Sequence, residues 1–148
     1  MENQDKKKRE EVLAEVYRNA QLALESISDI LPQVDDFKTR AELKAQHEEY
    51  ERFSAAASKL AKDRGIELKE PGAIKKAMMW GSIKMSAMKD NSRAHIAEMM
   101  VQGTVMGITA LRSTAGELSE NGDDRIPALL EEMINREEEF EKRWKEYL

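Results

Sequence analysis

The chain has 148 residues, with 24 Lys plus Arg against 29 Asp plus Glu, a formal net charge of −5 and no cysteine. That balance argues against a nucleic-acid partner, and the missing cysteines exclude a disulfide frame, thiolate metal ligands and a cysteine nucleophile. Charged residues at 36% with only 7 Gly, 3 Pro and 5% aromatics give the composition of a mostly helical chain of one domain, 1–148.

The first helix is predicted from about Lys6 to Leu31. The basic run Lys6 to Arg9 is followed at once by Glu10 and Glu11, which reads as a solvated helix start rather than a phosphate contact. Leu13, Val16, Tyr17, Ala20, Leu24, Ile27 and Leu31 recur at spacings of three and four, the seam that a bundle helix buries. Pro32 ends the helix because it lacks an N–H and crowds the preceding turn. A second helix is predicted from Asp36 to Arg64, with Leu43, Tyr50, Phe53, Ala57, Leu60 and Ala61 as its apolar face and Gly65 as its stop.

Pro71 is placed to open a further helix, from about Gly72 to Lys89. If that helix ran on to Ala115 it would span roughly 65 Å, against about 40 Å for the others. A break is therefore expected near Asp90, where Asp90, Asn91 and Ser92 are all good N-caps. The next helix, Ser92 to Ala115, contains AHIAEMMVQGTVMGITAL and is apolar on nearly every side, as helices surrounded by others are. The last helix begins at Asp123 or Asp124 and buries Ile126, Leu129, Leu130, Met133, Phe140, Trp144 and Tyr147, with Glu137 inside that seam. These elements predict an all-α fold, an antiparallel four-helix bundle with an additional short helix before the third core helix.

Polar residues on buried faces are the chemically informative ones. His95, Glu98, Gln102 and Thr109 form a strip on the third core helix, and residues three or four apart there can touch. Gln46 and His47 lie on the second helix, Tyr17, Gln21 and Glu25 on the first, and Glu137 on the last. Burying an ionised carboxylate is costly unless it is paired, hydrogen-bonded or metal-bound. Two readings follow. One is a structural polar network of His95, Glu98, Gln102 and Glu137, with no cofactor. The other is a di-iron or di-manganese carboxylate centre, with His95, Glu98, Glu137, His47, Glu49 and Glu25 as candidate ligands. Such centres carry Glu-x-x-His on two helices; this chain has only the reversed His95-x-x-Glu98, and Gln46-x-x-Glu49 where a second pair would lie. That departure favours the structural network.

Seven of the nine methionines lie between Met78 and Met106, a composition suited to plastic core filling or to a Met-lined small-ligand pocket. Gly103-x-x-x-Gly107 permits close approach of a neighbouring backbone. Ser92 beside His95 has no acidic orienter or nucleophile elbow, so no catalytic residue is assigned and a non-enzymatic role is expected.

The segments VYRNAQLALESISDILP, QHEEYERF, DNSRAHIAEMMVQGTVMGI and KRWKEYL together resemble a small uncharacterised helical family of Gram-positive bacteria within the ferritin-like superfamily. The resemblance implies a ferritin-like bundle, a homodimer or higher homo-oligomer, and an intracellular location. The N-terminus also lacks the apolar core of a secretory signal, and no apolar run approaches a membrane span, so a cytoplasmic protein without membrane contact is expected. The overall expectation is a structural or interaction protein, with metal binding as the alternative.

Overall fold

The computed structural model describes residues 2–69, 85–116 and 124–148. Within them the chain is helical, without strands: α1 (Glu2–Ile30), a 3-10 turn (Leu31–Gln33), α2 (Phe37–Arg64), α3 (Arg93–Ala115) and α4 (Arg125–Lys145). The short helix expected from Gly72 falls largely outside the described residues. Residues 85–89 are helical and 90–92 are not, so the chain breaks where the cluster of N-cap residues predicts.

Each boundary has a local chemical cause. Asp36 caps α2 by accepting from the Thr39 backbone N–H at 2.9 Å and from its hydroxyl at 2.6 Å. Gly65 closes the same helix at φ 67°, a left-handed conformation that costs a residue without Cβ very little. Ser92 caps α3 and Asp124 caps α4.

The hydrogen bonds between helices give their directions. Gln21 bonds Ser54 and Ser28 bonds His47, so α1 and α2 run antiparallel. Tyr50 meets Glu137, while Gln46 meets Trp144, so α2 and α4 are also antiparallel. Arg9 with Asp124 and Asn19 with Glu137 make α1 and α4 parallel. The start of α3 lies beside the α1–α2 turn, through Arg93 to Asp36 and Asn91 to the Gln33 carbonyl. The end of α2 lies at the opposite end of the molecule, where Arg64 reaches Asp124. The end of α2 and the start of α3 thus lie at opposite ends of the molecule, and α2 and α3 point the same way.

The most extensive packing is between α3 and α4 and between α1 and α2; α1 meets α3 less closely. The core comprises Val12, Leu13, Val16, Ile27, Leu43, Ile96, Leu111, Met133, Phe140 and Trp144, among others, each essentially sealed from solvent. Tyr50 and Phe140 pack with their rings tilted by 58° and centroids 5.4 Å apart, and Trp144 meets Tyr147 edge-on at 5.2 Å, favourable geometries for aromatic pairs. The buried Trp144 N–H donates to Gln46 Oε1 at 2.9 Å, and the Gln46 amide donates on to Glu42.

The apolar helix α3 departs from expectation. It buries Ile96, Ala97, Met100, Thr104 and Leu111 against its neighbours, yet Glu98, Gln102 and Thr109 are exposed. Val105 and Met106 are 40% and 70% accessible. The polar strip of this helix faces outward because α1 and α4 cover only the opposite side.

Candidate functional site

The buried polar centre is built from three other helices. Glu137, on α4, is 1% accessible. Its Oε1 accepts from Asn19 Nδ2 on α1 at 2.7 Å, and its Oε2 accepts from the Tyr50 hydroxyl on α2 at 2.9 Å. Helix α3 contributes a missing side chain: a Cβ placed on Gly107 would lie 2.9 Å from both Glu137 Oε2 and Asn19 Oδ1. Gly107 thus leaves room for the two polar groups rather than for a neighbouring backbone.

Burial pushes the Glu137 carboxyl up to about 7 from its usual 4.5, against the opposing pull of the Tyr50 and Asn19 donors. Burial, reinforced by the adjacent carboxylate, also holds the Tyr50 hydroxyl well above the usual tyrosine range. The phenol therefore stays protonated and serves as a fixed donor.

Above this centre, between α1 and α3, the helices form a partly open cavity of about 370 Å³. Glu137, Tyr50 and Asn19 form its floor. Its walls are largely apolar, with Leu22, Ala23 and Ile30 from α1 and Met99, Met100 and Ala110 from α3. Met106 lies at the mouth, since it lines the cavity and is also strongly exposed. Arg18 lines it too, and is paired with Glu15 one turn earlier on α1. Gly103 borders the space with nothing within 4 Å of its would-be Cβ. A mostly apolar cleft with a few convergent polar groups is the ordinary form of a small-molecule site.

The residues singled out from sequence are dispersed. Glu137 is central, as its place in the seam suggests. His95 is half-buried at the start of α3, with Nε2 2.8 Å from Ser86 Oγ and Nδ1 4.0 Å from Asp90. Glu98 and Gln102 face solvent, so the expected network of His95, Glu98 and Gln102 with Glu137 is replaced by one of Asn19, Tyr50 and Glu137. His47 contacts Glu51 at 2.7 Å on its own helix. Glu49 lies between Arg52 and Arg136, at 3.5 and 3.7 Å, and Glu25 is half-buried on α1. Among the described residues no three histidine, cysteine, aspartate or glutamate side chains form a group able to hold a metal ion. None of the described helices is long and apolar enough to cross a membrane.

Asn19 was not legible as a site residue, although a signal existed. Val12, Val16, Ala23 and Ile30 form a second stripe on α1, and Asn19 interrupts it at the spacing of a buried position. Comparison with known protein families, with characterised proteins and with solved structures finds no match to this chain.

Proposed function

We propose that the protein is a ferritin-like four-helix bundle whose role is non-enzymatic, and that its cavity between α1 and α3 binds a small, largely apolar molecule. The observation that carries this reading is the cavity itself, about 370 Å³ with a hydrogen-bonded, buried carboxylate fixed at its floor. Empty space of this kind forfeits the dispersion contacts that a filled core would gain, and no side chain is placed to fill it at Gly103. The ferritin-like reading is supported by helix direction: the closely packed pairs α1–α2 and α3–α4 are antiparallel while α2 and α3 point the same way, the arrangement of a bundle with a single crossover. Self-association, which the family resemblance implies, belongs to the same reading and is measured by sedimentation velocity.

The test is a thermal-shift titration with neutral apolar molecules such as octanol, beside elemental analysis of protein purified without chelator and then loaded with iron or manganese. A saturable rise in melting temperature without stoichiometric metal is the expected result. One or more equivalents of metal, lost in Glu137→Ala, would instead favour a metal-binding carboxylate protein.

A further inference from the structure

The polar groups around the cavity are unbalanced in both charge and hydrogen-bonding capacity. Among the described residues its lining holds two carboxylates, Glu15 and Glu137, but one cation, Arg18, which is already paired with Glu15. Among the described residues Glu137 therefore has no positive charge to balance it and is held by neutral donors, the Tyr50 hydroxyl and the Asn19 amide. The two aliphatic hydroxyls among the described residues of the lining, Ser26 and Thr104, donate to the carbonyls of Leu22 and Met100 at 2.8 and 2.6 Å. Their protons are spent on their own helices, so what they turn to a ligand is oxygen lone pairs. The Tyr50 proton is spent on Glu137 in the same way. Among the described residues, what remains toward the cavity is rich in acceptors and carries a net negative charge.

Resting on the cavity reading above, we infer that the ligand is an amphipathic amine: an alkyl or aryl chain carrying one protonated nitrogen. Its apolar part lies along Leu22, Ile30, Met99 and Met100, and its ammonium group points to the floor formed by Glu137 and Asn19. An ammonium carries three donors and no acceptor, which complements this lining. It also supplies the counter-charge that a desolvated carboxylate otherwise lacks. A carboxylate head would face Glu137 with like charge, and an alcohol would answer the hydrogen bonds but not the charge. Methionine walls suit a chain of variable shape, because thioethers are flexible and polarisable.

The experiment is isothermal titration calorimetry on the full chain with three probes of one chain length, octylamine, octanol and octanoate. It is run at about pH 8, where Glu137 has released its proton. Octylamine is expected to bind at least tenfold more tightly than octanol, with octanoate weakest. Gly103→Leu, which grows a side chain into the open space beside the cavity, is expected to abolish binding of all three while keeping the fold. Glu137→Gln is expected to reduce octylamine to the affinity of octanol. If octanol or octanoate binds as tightly as octylamine, the amine inference is overturned while the cavity reading stands. If none binds, both fail. Octylamine binding that survives Gly103→Leu unchanged places it on the acidic surface and overturns the inference. If Glu137→Gln does not fold, the comparison of head groups in the unsubstituted protein decides the matter.

Discussion

Glu137 shows how a single side chain ties stability to pH. Its carboxyl titrates near 7 in the folded protein and near 4.5 when exposed. Between those values the folded chain holds a proton that the unfolded chain has released, so stability falls as pH rises across the window. At about 1.4 kcal/mol for each tenfold change in proton affinity, the loss from about pH 4.5 to 7 is on the order of 3 kcal/mol. Urea unfolding at a series of pH values is expected to show this slope, and Glu137→Gln to flatten it. Asp36 contributes with the opposite sign. Its carboxylate is held well below the usual range by Arg93 and Thr39, so its contribution is present at neutral pH and disappears as acid titrates it. Gln46 belongs to the same scale: fully buried, it accepts the Trp144 N–H. Gln46→Ala leaves that donor unpaired and is expected to cost about 1–3 kcal/mol in the same unfolding assay.

At the scale of the elements, α3 carries two glycines one turn apart with opposite roles. A methyl group on Gly107 would press against the Glu137 carboxylate and the Asn19 amide at 2.9 Å, and both are anchored by hydrogen bonds. Gly107→Ala is therefore expected to destabilise by about 1–3 kcal/mol, the usual cost of overpacking. Gly103 meets open space, so Gly103→Ala is expected to stabilise by up to about 1 kcal/mol through helix propensity alone. Thermal unfolding of the pair distinguishes the two sites directly. The N-caps form a second pattern. Asp36 and Asp124 each cap a helix and also receive arginines from elsewhere, Arg93 in one case and Arg9 and Arg64 in the other. Asp36→Ala is expected to lower the melting temperature through the lost cap, with a further salt-sensitive part from the lost Arg93 pair.

For the molecule as a whole, the chain's own chemistry determined the helices and most of their limits. Periodic apolar residues in Val12 to Ile30, Leu43 to Ala61 and Ile126 to Trp144 require one buried face each, and Pro32, Gly65, Ser92 and Asp124 punctuate them by local conformational preference. Glu137 was legible as well, since a carboxylate inside an apolar seam demands a partner whatever the fold. The partners were not legible. Asn19 and Tyr50 lie 118 and 87 residues away in sequence, and only the mutual rotation of α1, α2 and α4 brings them within hydrogen-bonding distance. Orientation likewise decided the fate of the strip His95, Glu98 and Gln102. Helix α3 is apolar on so many sides that its periodicity left open which side would be covered, and packing against α1 and α4 turned Glu98 and Gln102 outward. The cavity is the clearest product of tertiary structure. A void is a property of how far two helices stand apart, which no single helix encodes, and here the looser contact of α1 with α3 created it beside Gly103.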